Sequence, residues 1–166
     1  MVTIIAGFTQ IIGQEDLLIN SYNRPSISLN GQWKYIIDPY ENGYYNYRYK
    51  PFEDQRHPGK GAYFLNSKPN NKSDLIEYDF DKSETISVPG DWNTQKDELL
   101  YYEGTIWYKK SFDYVKSKRT NRVFIHFGAS NYETDVYLNG IKLGNHIGGF
   151  TPFNFEITDI VNENEN

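Results

Sequence analysis

Apolar residues return at every second position in one short segment after another, and this period of two most limits how the chain can fold. Trp33, Tyr35 and Ile37 fall on one side of a segment that begins after Asn30-Gly31. Ile86 and Val88 alternate up to Pro89-Gly90, which stops the strand. Ile106, Tyr108 and then Phe112 share a face, with Lys109 and Ser111 opposite, so Trp107 points to the other side of its sheet. Val123, Ile125 and Phe127 alternate with Phe124 and His126, and Phe153, Phe155 and Ile157 form a further set. Val136 and Leu138 lead into Asn139-Gly140, and Ile141 and Leu143 lead out. Asn-Gly between apolar runs is the strongest short hairpin signal, because both residues tolerate positive φ. No window of a dozen residues carries a 3.6-residue stripe. Short strands separated by turn residues predict an all-β, antiparallel sandwich, with at most one or two short helical turns.

A chain of 166 residues suits one compact domain. At that size folding buries roughly 68–70% of the unfolded-chain surface. Its 15 Tyr, 10 Phe and 3 Trp supply large burial per residue, which argues against disorder. With a formal charge of −5 and no run of Lys or Arg longer than two, it lacks a basic footprint for nucleic acid. Lys109-Lys110 and Lys118-Arg119 read as solvated strand ends and loop. The absence of cysteine excludes disulfides, thiolate nucleophiles and Cys-ligated zinc.

Residues 1–23 form an amino-terminal segment with two open readings. Met1–Gly13 is apolar without a positive start, which fits the remnant of a signal peptide cleaved near Gln14-Glu15-Asp16. It equally fits an amino-terminal strand. It is too short for a membrane span. The first reading tilts the location toward the periplasm or secretion. Between Asp38 and Asp81 lies a polar, tyrosine-rich stretch with Tyr44, Tyr45, Tyr47 and Tyr49, which is expected to pack its aromatics onto the sandwich. The tail Val161-Asn-Glu-Asn-Glu-Asn reads as a chain interrupted in a turn.

Self-contained chemistry is not legible. Hydrolysis through paired carboxylates needs two of them about 5–10 Å apart, one with a raised pKa. Asp79/Asp81, Asp97/Glu98 and Glu103 all lie among loop residues, where solvation explains them. His57, His126 and His146 lack metal-ligand spacing, so no metal site is expected. His146 is expected to bond a loop carbonyl. There is no Gly-x-Ser-x-Gly, and the glycines at 140, 144, 148 and 149 lack the Lys-Ser/Thr of a phosphate loop. Asn71-Lys72-Ser73 satisfies the glycosylation sequon, a triplet common by chance.

Four motifs carry a resemblance. Leu29-Asn30-Gly31-Gln32-Trp33, Val88-Pro89-Gly90-Asp91-Trp92-Asn93 and Tyr102-Glu103-Gly104-Thr-Ile-Trp107-Tyr108-Lys109-Lys110 occur in order. Tyr137-Leu138-Asn139-Gly140 then leads to Gly144-x-His146-x-Gly148-Gly149-Phe150-Thr151-Pro152-Phe153. Together they resemble the amino-terminal domain of glycoside hydrolase family 2, the β-galactosidase and β-glucuronidase group, over about Leu29 to Asn166. The resemblance implies an antiparallel jelly-roll sandwich, similar to galactose-binding domains, across residues 24–166. It implies partners too: an immunoglobulin-like domain and a (β/α)8 barrel downstream. In the family two glutamates on that barrel hydrolyse the glycoside with retention. No catalytic residue and no cofactor are therefore expected on this chain.

The resemblance implies one substrate-proximal loop, between Trp92 and Trp107. Tyr101, Tyr102 and Glu103 are the residues expected to approach a sugar, although Tyr102 and Trp107 equally suit packing of the sandwich. The leading expectation is an accessory carbohydrate-binding domain of a retaining exo-β-glycosidase, weak for a β-galactoside or β-glucuronide on its own. A free-standing carbohydrate-binding module using Tyr44, Tyr45 or Tyr47, and a purely structural interaction domain, are the alternatives.

Overall fold

The computed structural model describes residues 23–41, 80–116 and 122–166, with Leu18 and Asn20. Most of segment 1–23, Tyr44 to Tyr49, His57, Asp79, the sequon at Asn71 and the Lys118-Arg119 pair lie outside the described residues.

Nine strands carry the described fold, joined by two single-turn 3-10 helices, Trp92–Thr94 and Asp97–Leu99. The strands are β1 (Gly31–Asp38), β2 (Thr85–Val88), β3 (Thr105–Lys109), β4 (Asp113–Tyr114), β5 (Phe124–Phe127), β6 (Glu133–Leu138), β7 (Ile141–Ile147), β8 (Phe153–Glu156) and β9 (Asn164–Glu165). Every pairing among them is antiparallel. The chain is all-β, as the period of two requires.

β1 is the centre of a three-stranded sheet ordered β2-β1-β3, and its alternation feeds both faces. On one face Tyr35 and Ile37 join Ile86, Ile106 and Tyr108 around Leu99, which is fully buried. On the other, Ile36 packs with Phe80 and Trp107. Trp107 does take the opposite side from Ile106 and Tyr108. Its ring lies 6.0 Å from that of Tyr137 on β6, and this joins the sheet to the second core. That core sits between the β6–β7 hairpin and the β5–β8 ribbon, and contains Val136, Leu138, Leu143, Phe153, Phe155 and Ile157.

The Asn139-Gly140 turn forms as expected, with φ of 50° and 84°. Across the hairpin Val136 pairs with Gly144 but Tyr137 with Lys142, so the ladder slips by one residue there. A Cβ on Gly144 would meet the Phe155 ring at 2.5 Å, which explains a glycine inside a buried strand.

Three local expectations change. Phe112 packs on the second core, not with Ile106 and Tyr108, because β3 ends at Lys109 and the strand phase is lost. Lys109 and Lys110 are half-buried: Lys109 lies 5.6 Å from the Phe80 ring centre, and Lys110 donates to the Gln32 carbonyl at 3.0 Å. The tail is folded. β9 pairs with β4, Asn166 exchanges both backbone bonds with Phe112, and its Oδ1 accepts from Asn139 at 3.0 Å.

Candidate sugar-facing loop

The segment from Pro89 to Gly104 is built from amide and carboxylate side chains that bond backbone. Asp91 caps the first 3-10 turn, its carboxylate accepting from the Asn93 N–H at 3.2 Å. The Gln95 carboxamide acts as a substitute strand neighbour for β2, accepting from the Ser87 N–H at 2.8 Å and donating to the Ser87 carbonyl at 3.0 Å. A Cβ on Gly90 would strike that carboxamide and lie 2.9 Å from the Ser87 oxygen, so glycine is required where Gln95 crosses. Asn93 donates to the carbonyls of Leu99 and Tyr102, at 2.5 and 3.3 Å. Further along, Tyr35 donates to Glu98 at 2.6 Å, and Lys96 pairs with Glu84.

This bracing settles where the three expected residues stand. Tyr102 is half-buried in the core around Leu99, and its hydroxyl donates to the Thr105 carbonyl at 3.0 Å. A Cβ on Gly104 would approach that hydroxyl to 2.6 Å. Tyr101, next to it, is 92% exposed, and Glu103 is exposed as well. The loop therefore pins Tyr102 inward and presents Tyr101 and Glu103 to solvent.

Two phenols beneath the loop are shifted. Burial, then the Glu98 carboxylate accepting its bond, pushes Tyr35 far above the usual tyrosine range. Burial, followed by the Asp91 charge, raises Tyr108 to about 12. Both stay protonated at physiological pH, so neither offers a base. Among the described residues no group of three His, Asp or Glu is placed to hold a metal ion.

A second apolar surface lies at the β7–β8 turn. His146 is buried and stacks on Phe153 at 4.0 Å between ring centres, and its Nε2 lies 3.2 Å from the Thr151 hydroxyl. One of its partners is thus a hydroxyl, because Gly148 and Gly149 fold Thr151 back over the ring. The Gly148 N–H donates to the Tyr132 carbonyl at 2.8 Å, and a Cβ on Gly149 would lie 2.9 Å from the Asn131 side chain. With the glycines occupied in this way, Phe150 is left 93% exposed beside exposed Ile147 and Tyr132.

No family model matches the chain. Curated relatives do. A β-glucuronidase of Formosa agariphila is 36% identical over 106 residues, 57% of this chain and 11% of that protein. A β-galactosidase of Thermoanaerobacter pseudethanolicus is 34% identical over 98 residues, 56% of this chain and 13% of its own length. Among solved structures, a β-glucuronidase from an uncultured Clostridium sp. superposes with a TM-score of 0.56 at 29% identity. It covers 82% of this chain and 20% of the other. In sequence and in fold the chain is similar to a part of these β-glucuronidases and β-galactosidases, as its resemblance to the amino-terminal domain of the family 2 glycoside hydrolases implies.

The motifs that carry the resemblance acquire physical roles in these terms. Val-Pro-Gly-Asp-Trp-Asn supplies the strand stop, the glycine under Gln95, the cap and the Asn93 brace. The Gly-x-His-x-Gly-Gly run supplies the contact with Phe155, the His146 stack and the tight turn. Sequence reasoning gave Asn93 and Gln95 no role of their own. Their one signal was a pair of amides directly after a Pro-Gly-Asp turn, where side chains commonly bond backbone. The chain spans only 11% and 13% of the length of these two curated relatives.

Proposed function

We propose that the chain is the accessory domain of a retaining exo-β-glycosidase of the β-glucuronidase or β-galactosidase type, with the hydrolytic residues outside it. In this reading residues 24–166 are the sandwich, an immunoglobulin-like domain and a (β/α)8 barrel are its partners, and the Tyr101–Glu103 turn forms part of the wall around the sugar. The observation that carries it is the loop: Asn93, Gln95 and Glu98 brace the segment from Pro89 to Gly104, and the aromatic it displays fully is Tyr101. Tyr101 offers a ring face for the apolar side of a pyranose, and Glu103 an acceptor for its hydroxyls. The names of the relatives support a β-glucuronide or β-galactoside as the sugar.

An isolated wall offers little enclosure and few convergent polar groups, and small ligands need both. Glucuronate and galactose should therefore bind the 166-residue chain more weakly than about 1 mM, roughly −4 kcal/mol. NMR titration tests this, with shift changes expected at Tyr101 and its neighbours. Chromogenic β-glucuronides, β-galactosides and β-mannosides should turn over no faster than in buffer. Turnover abolished by Glu103→Gln, or micromolar affinity insensitive to Tyr101→Ala, would defeat the proposal.

One observation favours an interaction role in addition. Phe150, Ile147 and Tyr132 are each large apolar side chains left exposed around the β7–β8 turn, and exposed apolar surface commonly marks a contact with another protein where it is contiguous.

A further inference from the structure

We propose that Asn93 is the positioning residue of the Leu99–Glu103 turn: it touches no sugar, and it sets where Tyr101 stands by bridging two backbone carbonyls across it. The inference rests on reading that turn as the sugar-facing loop. Tyr101 lies between Leu99 and Tyr102, and the turn is closed by the Tyr102 N–H donating to the Leu99 carbonyl at 3.1 Å. Leu99 is fully buried and fixes one side of the base. Tyr102 fixes the other through its ring in the same core. Tyr101 is almost wholly exposed, so packing does little to locate it.

The Asn93 carboxamide spans the base, donating to the Leu99 carbonyl at 2.5 Å and the Tyr102 carbonyl at 3.3 Å. A primary amide has two N–H donors, and a carboxylate or a single hydroxyl cannot serve two carbonyls in this way. Asn93 is itself held, through its own N–H on Asp91 and through Trp92 beside it in the Leu99 core. The other braces act before the turn: Glu98 on Tyr35, Lys96 on Glu84, Gln95 on Ser87. Asn93 alone among these four reaches both sides of Tyr101.

The test compares the 166-residue chain with Asn93→Asp and Asn93→Ser, by residue-resolved amide exchange and by NMR titration with glucuronate and galactose. In Asn93→Asp a carboxylate faces two carbonyl oxygens. Exchange of the Leu100–Glu103 amides should rise about tenfold, the equivalent of one lost hydrogen bond, while β6–β7 amides keep their rates. Asn93→Ser, which retains one short donor, should show a smaller rise in the same place and keeps the test open if the Asp variant does not fold. Sugar-induced shifts at Tyr101 should shrink in parallel. Unchanged exchange in the turn would overturn the inference. So would acceleration shared equally with β6–β7, the mark of a merely structural residue. So would a loosened turn that leaves the sugar response at its original size. Absence of any sugar response in the unmodified chain would defeat the sugar-facing reading, and the exchange data would still decide the role of Asn93.

Discussion

Trp107→Ala should be the most informative single perturbation of the fold, because Trp107 links the β2-β1-β3 sheet to the rest of the sandwich. Its ring packs with Ile36 and Phe80 and lies 6.0 Å from the Tyr137 ring. Its Nε1–H donates to an Asp38 oxygen at 2.9 Å, and Asp38 is fully buried. Truncating a fully buried large aromatic costs about 3–5 kcal/mol. Trp107 is only half-buried, so the packing loss belongs at the lower end of that range. Leaving a buried carboxylate one donor short adds about 1–3 kcal/mol. The sum is about 4–6 kcal/mol, or a fall in Tm of about 8–24 °C at 2–4 °C per kcal/mol. Trp107→Phe separates the two parts, since it keeps most of the packing and removes the donor, and it should cost about 1–3 kcal/mol. Urea unfolding followed by circular dichroism measures both variants, with the m-value checking that the same surface is exposed. A Trp107→Ala midpoint within error of the parent would refute the linking role. A Trp107→Phe variant as stable as the parent would refute the contribution of the Asp38 bond.

Three other outcomes follow from particular contacts. Glu156 is held down to about 2 by its bonds from Arg122 and then from the Thr158 hydroxyl. A depressed carboxylate stabilises the fold above its unfolded pKa and loses that contribution as pH falls, so stability should decline between about pH 4.5 and 2. The pair is largely exposed, so the decline is small; Arg122→Met should flatten it in pH-dependent urea melts. Gly144→Ala should destabilise the hairpin by about 1–3 kcal/mol, since its methyl group would overlap the Phe155 ring, and a variant of unchanged Tm would contradict that contact. Absorbance titration of the phenols should find Tyr108 still protonated at pH 11, and normal titration near 10 would show that its burial is misjudged.

The strands were legible because the chain's local preferences and its burial pattern agree. Phe153, Phe155 and Ile157 alternate in the sequence and are all buried, and Asn139-Gly140 turns where a two-residue turn must. Where the expectation failed, one local rule was extended past its element. Phe112 was placed by continuing a period of two through a strand that stops at Lys109. The short strand in the tail was not legible because Asn-Glu-Asn-Glu-Asn has low strand propensity. What orders it is tertiary. Asn166 bonds Asn162 and Asn139 through its side chain and Phe112 through its backbone, partners that lie 4 to 54 residues away in the chain.

The loop was singled out by resemblance and not by pattern, and the physical reason is that its order comes from side-chain amides. Hydrophobic periodicity reports burial, and Leu99 is the one apolar anchor between Trp92 and Tyr102 that is fully buried. Asn93 and Gln95 hold the backbone on either side of it, through bonds whose acceptors are main-chain oxygens and therefore leave no mark in the identity of the residues they bind. The same logic separates neighbouring tyrosines that look alike in sequence. Tyr102 donates to the Thr105 carbonyl and packs under Gly104, so it belongs to the scaffold; Tyr101 has no such pocket and stands outward. If the brace and the display are separable in this way, changing Tyr101 alters the exposed surface at little cost in stability. Tyr101→Ala should shift Tm by less than about 0.5 kcal/mol equivalent, as for other exposed positions, while Tyr102→Ala unfolds part of the core. A Tyr101→Ala chain as unstable as Tyr102→Ala would show that both rings are structural, and the loop would then have no face left to offer a sugar.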